Sequence, residues 1–101
     1  MSQPSGYMRR LQNGDAEFAG MVAPVLGAAM ADGALSAKNK TLMILLLDAT
    51  RGHHDAVKAL GARARTQGAT DAEISETVRL AFITAGVSGL SAASNAFTET
   101  D

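Results

Sequence analysis

The chain's two imidazoles are adjacent, at His53 and His54. They follow the polar turn that starts at Asp48 and head an alanine-rich, basic segment ending at Gln67. An ordinary imidazole titrates at about pH 6.5, and the positive end of a helix N-terminus favours its neutral form. That chemistry suits a general acid or base, so His53, with His54 beside it, is the candidate catalytic group. Asp48 and Asp55 are the carboxylates near enough in sequence to orient a ring, although either can equally be a solvated helix cap. Arg51, Lys58, Arg63 and Arg65 place cations on or beside the same segment, where they could steer a small anionic, carboxylate-bearing ligand to the turn. Arg51, Asp48 and Lys58 are therefore the candidate ligand-binding residues. The plainer reading is a packed histidine on a backbone carbonyl and a solvated, charged helix surface. A metal is not called for. Neighbouring residues on a helix point about 100° apart, whereas two ligands from one helix come three or four positions apart, which leaves only a metal shared between copies of the chain.

Helices must position these residues. Asp15 can cap a first helix whose Phe18, Met21, Val22, Val25, Leu26, Ala29 and Met30 repeat at the spacing of one helix face. Pro24 removes a backbone donor inside it, which predicts a kink or two shorter pieces, and Asp32-Gly33 closes it. Ser36 can cap a second helix over about 37–51, apolar around almost its whole circumference between 42 and 47. Such a helix is covered on all sides, and in so small a chain part of the cover is expected from another copy. A third helix over about 53–67 carries His53, Ala56, Val57, Leu60 and Ala64 on one face and Arg51, Asp55, Lys58 and Arg65 on another. Gly68 suits the left-handed position past a helix end, and Thr70 with Glu73 has the spacing of a capping box. The fourth helix then runs over about 71–85 with Ile74, Val78, Ala81, Phe82 and Ala85 inward. Gly86 ends it, and Ser88 can cap a last helix with Leu90, Ala93 and Phe97. No segment alternates like a strand, so the fold is expected to be all-α. Residues 1–14, rich in turn formers, are expected to be a flexible arm, although Tyr7, Met8 and Leu11 could dock it on a neighbour. Residues 15–101 then form a single domain.

Composition excludes several function classes. A chain of 101 residues buries only roughly 60 to 70 per cent of its unfolded surface, so self-association would help it. Lys and Arg are spread along a chain of net charge −1, which gives no basic face for nucleic acid. The absence of cysteine removes disulfides, thiolate metal sites and thiol redox chemistry together. The apolar run at 42–47 is far shorter than the roughly 20 residues of a membrane span, and the first residues lead into no uninterrupted apolar stretch. A soluble, cytoplasmic protein with no membrane partner is the expectation.

In order and spacing, several short motifs resemble a known family. Asp32-Gly33-Ala34-Leu35-Ser36-Ala37-Lys38, the buried helix after it, the Gly52 turn, Gly68-Ala69-Thr70 with Glu73-Ile74 and Glu76, and Ala85-Gly86 look like the carboxymuconolactone decarboxylase / alkylhydroperoxidase D-like family over about residues 15–97. The resemblance implies a small orthogonal bundle of about five helices built on a helical hairpin. It also implies a homotrimer or homohexamer with the functional pocket where copies meet. In the peroxidase branch a Cys-x-x-Cys opens the third helix, a His follows four residues later and a Glu on the preceding helix relays protons. Aligned on Gly52 and Gly68, those roles fall on His53, Ala56, Leu60 and Thr41, and none is kept. The decarboxylase branch usually keeps the helix His, here Leu60. What remains is a pocket holding an imidazole, a methyl and an isobutyl group, with no cofactor. Three function classes follow. A decarboxylase-like lyase would work on a small organic acid or lactone through His53, and its sign would be a pocket open to solvent and polar on one side. An oligomeric binding or scaffold protein would show a sealed, apolar one. Thiol peroxidase is the family label alone, against which the missing cysteines argue.

Overall fold

The computed structural model describes residues 6–97, and every described element is helical. The chain divides into two compact units, Met1–Ala31 and Asp32–Asp101.

In the first unit, α1 (Gly6–Gly14) and α2 (Ala16–Met30) pack on each other, with Met8 and Ala19 buried. Part of the expected arm is therefore a helix. Met8 and Leu11, three residues apart, supply the apolar spacing that the surrounding Gly and Asn disguise. The Asp15 carboxylate accepts from the Phe18 N–H at 3.1 Å, capping α2 as expected. The helix continues through Pro24 without a break into two pieces, and it ends at Met30, before Asp32-Gly33. Residues 1–5 and 98–101 lie outside the described residues, so the start of the arm and the end of the tail carry no structural account.

The second unit holds α3 (Ala37–Thr50), α4 (His54–Thr66), α5 (Asp71–Ala93) and a 3-10 turn, Ser94–Ala96. Two side chains start α3. Ser36 Oγ accepts from the Asn39 N–H at 3.0 Å, and Asp32, rather than closing α2, accepts from the Ala37 N–H at 2.7 Å. Past α4, Ala69 N–H donates to the Ala64 carbonyl and Gly68 N–H to that of Arg65, the paired bonds of a Schellman ending, with Gly68 at φ +98°. Thr70 and Glu73 then cap each other's backbone N–H groups at 3.1 and 2.9 Å, the reciprocal box read from the sequence.

Helix α5 outruns its expected end, but its backbone breaks where glycine stands. Gly86 has φ 66° and ψ −153°, a conformation open to little except glycine, so two helical runs meet there at a kink. Ser88 does not cap the second run; its hydroxyl donates to the Ala85 carbonyl at 3.3 Å.

The core lies where α3 meets α4 and α5: Leu45, Val57, Ile74, Val78 and a layer of alanines, with Leu42, Leu46 and Leu60 half-buried against it. Small residues set the interhelical distances. A Cβ at Gly61 would stand 2.9 Å from both Cα and O of Ala96, so this glycine lets α4 touch the backbone of the 3-10 turn. Gly61→Ala is expected to cost about 1–3 kcal/mol, read as a lower denaturant midpoint, because backbone must move to admit the methyl.

One carboxylate joins two helix starts. Glu73 Oε1 accepts from Thr70 N–H while Oε2 meets Lys38 Nζ at 2.8 Å. The Lys38 ammonium, followed by the Thr70 N–H, holds Glu73 below the usual carboxylate range. A carboxylate whose folded value is depressed stabilises the protein above the unfolded value, and loses that contribution as pH falls through the folded one. Stability should therefore drop as pH falls below about 4, and Glu73→Gln should flatten that limb of a pH series of thermal melts.

Candidate functional site

The loop between α3 and α4 carries the candidate residues. The chain leaves α3 at Thr50, turns through Arg51 and Gly52, and enters α4 at His54. His53 is the N-cap of α4, yet its side chain makes no capping bond. Its Nδ1 lies 3.1 Å from Asp48 Oδ1, and its side chain is 53% exposed while that of Asp48 is 22% exposed. Of the two carboxylates that sequence placed near the rings, Asp48 is thus the one that reaches His53. Asp55 sits in the first turn of α4, exposed. With Nδ1–H donated to the carboxylate, the His53 Nε2 has no hydrogen-bond partner among the described residues.

His54 is held from a part of the chain that local reading does not connect to it. Asn95, in the 3-10 turn, places Nδ2 2.8 Å from His54 Nδ1 and 2.9 Å from the Ala92 carbonyl. The two residues are 41 positions apart, and an Asn beside Ser94 carries no signal except that of a turn former.

Not all the expected cations serve the turn. Arg65 donates from Nη1 to the Ala96 carbonyl at 2.7 Å and reaches Asp71 from Nη2 at 3.4 Å, so it is a structural clasp, not a ligand-steering group. Arg51, Lys58 and Arg63 are exposed and form no ion pair among the described residues.

The residues expected to share a face with His53 do not. Ala56 and Leu60 are half-buried, and Val57 and Ala64 are fully buried, whereas His53 is exposed. At φ −86° and ψ 77°, His53 lies outside the helical register, so its ring leaves the face that Ala56 and Leu60 continue. Thr41 is fully buried, and its hydroxyl donates to the Ala37 carbonyl at 3.0 Å. It offers no proton relay to the turn.

A cavity of about 390 Å³ lies elsewhere, at the other end of α3, lined by Asp32, Ser36, Ala37, Lys38 and Gln67. Its Asp32, Ser36 and Lys38 groups are committed to helix starts and to Glu73, while Gln67 Oε1 is buried without a hydrogen-bond partner among the described residues. Among the described residues no three His, Asp or Glu side chains converge as ligands of a metal would. Nor is any described helix long and apolar enough to cross a membrane.

Helices in close contact through Gly and Ala, with a histidine-bearing turn between α3 and α4, define a small all-helical protein. The chain belongs to the carboxymuconolactone decarboxylase family, whose model matches residues 16–99. No curated protein and no solved structure matches it.

Proposed function

We propose that this chain is a proton-transfer member of its family, acting on a small organic acid or lactone at the α3–α4 turn. The observation that carries the reading is the Asp48–His53 contact of 3.1 Å beneath a ring open to solvent. The carboxylate holds the tautomer, and Nε2 takes a proton from carbon beside a carbonyl. The C–H electron pair moves into the carbonyl as an enolate, and the imidazolium returns the proton. Exposed Arg51 and Lys58 supply positive charge for the substrate's carboxylate.

Self-association belongs to the same proposal. Met43, Ile44 and Leu47 on α3, and Leu80, Phe82, Ile83 and Val87 on α5, are large apolar side chains at 39–76% exposure. A homotrimer or homohexamer would cover them, and a second copy would wall the turn.

A second reading, a binding or scaffold assembly without chemistry, is favoured by a different observation: Ala56 and Leu60 put only apolar groups at two positions that the family resemblance makes reactive. Thiol peroxidase chemistry has no nucleophile in this chain.

The test is solvent-deuterium incorporation into a panel of small lactone carboxylates, on the wild type and His53→Ala. Turnover that vanishes in the variant, with assembly mass unchanged, supports proton transfer. Ligand binding without turnover in the wild type favours the scaffold reading. Turnover equal in both proteins removes His53 from the reaction.

A further inference from the structure

The hydrogen bonds around the two rings impose opposite tautomers. The His53 Nδ1 faces a carboxylate oxygen, which only accepts, so Nδ1 carries the proton and Nε2 the lone pair. For His54 the logic runs the other way. Asn95 Nδ2 lies 2.9 Å from the Ala92 carbonyl and 3.4 Å from that of Ser91. Carbonyl oxygens cannot donate, so the atom facing them is the amide nitrogen and not the amide oxygen. That nitrogen's other hydrogen points at His54 Nδ1, 2.8 Å away, which must accept it. The His54 proton therefore sits on Nε2, which has no other partner among the described residues.

We infer that Asn95 is a positioning residue that fixes His54 as an Nε2–H donor, the tautomer opposite to that of the neighbouring His53. An Nε2–H held this way fits a carbonyl or carboxylate oxygen of a ligand at the α3–α4 turn. In the proposed proton transfer its part is to donate a hydrogen bond to an oxygen on which charge develops. The inference rests on the proton-transfer reading and adds the second ring and its holder. Gly61 serves it indirectly: by letting Ala96 sit against α4, it brings the neighbouring Asn95 to His54.

The experiment is long-range ¹H–¹⁵N NMR of the imidazoles, at a pH well above their titration, in the intact protein. In the wild type, His54 should show a bare Nδ1 and a protonated Nε2, and His53 the reverse. Asn95→Asp replaces a donor with an acceptor of the same shape and should switch His54 to the Nδ1–H form, whereas Asn95→Ala should leave it a mixture. Turnover in Asn95→Asp should fall about 10²-fold, the loss typical of one missing oxyanion donor, with the His53 tautomer unchanged. A wild-type His54 that is Nδ1-protonated or mixed overturns the inference whatever the variants do. So does an Asn95→Asp protein with His54 unchanged. If those tautomers are found but His53→Ala keeps full turnover, the proton-transfer reading fails while the arrangement of the rings stands.

Discussion

Replacing His53 with glutamine is expected to lower proton-transfer turnover by about 10²–10⁴-fold while leaving the thermal midpoint within about 2 °C of wild type. The size follows from what the ring does: one positioned acid/base group supplies that range, and glutamine cannot cycle a proton. The small stability effect follows from exposure. The His53 side chain is half in solvent, and its one bond is to a carboxylate that water can also satisfy. Asp48→Asn separates orientation from chemistry. An amide at position 48 can present its NH₂ group to Nδ1 and so favours the wrong tautomer, which should cost turnover while leaving the ring in place. Initial rates and melting curves on the same preparations measure both. If His53→Gln loses stability in proportion to activity, the ring is a packing group and the proton-transfer proposal fails.

The second large effect is on folding. Leu45→Ala is expected to cost about 2–5 kcal/mol, because the side chain is fully buried in the α3–α4–α5 core and the shortened residue leaves a cavity. For a domain whose whole stability is about 5–15 kcal/mol, that is a large share, and denaturant unfolding of the variant should show it directly. Leu47, two residues on and 52% exposed, should behave differently. Leu47→Ser is expected to change the denaturant midpoint of the separated subunit little and to lower the mass seen in analytical ultracentrifugation. Equal loss of stability at both positions, with no change in mass, would argue against association through this side of α3.

The contrast between Leu45 and Leu47 also shows what could be read from residue types alone. The run from Leu42 to Leu47 announces a helix that wants cover on every side, but not which partner covers which side. In this chain Leu45 is buried in the core with residues of α4 and α5, while Met43, Ile44 and Leu47 stay at the surface. Phe82, expected inward, is instead 46% exposed, and Leu90 and Phe97 are 38 and 44% exposed, with alanines at 81, 92, 93 and 96 taking the inner places. Local chemistry was the most legible part. The caps at Asp15, Ser36 and Thr70 and the turn at Gly68 each involve groups within a few positions of one another, and all stand where spacing put them. At the turn, nearness in sequence offers both Asp48 and Asp55 to a ring without choosing between them, and the contact that forms is Asp48 with His53, five residues apart, whereas Asn95 with His54, Lys38 with Glu73 and Arg65 with Ala96 are brought together by packing. Helix α1 was missed because Gly and Asn around it carry turn statistics that two well-spaced apolar residues outweigh once the segment can rest on α2.

The carboxylate of Glu73 bears on how the fold comes apart. A first turn of a helix ordinarily frays on its own, since its leading N–H groups are held loosely. Here the group that satisfies the start of α5 is also tethered to the beginning of α3. Protonating this one side chain therefore weakens a cap of α5 and its tie to α3 together, while the Ser36, Asp32 and Thr70 caps remain.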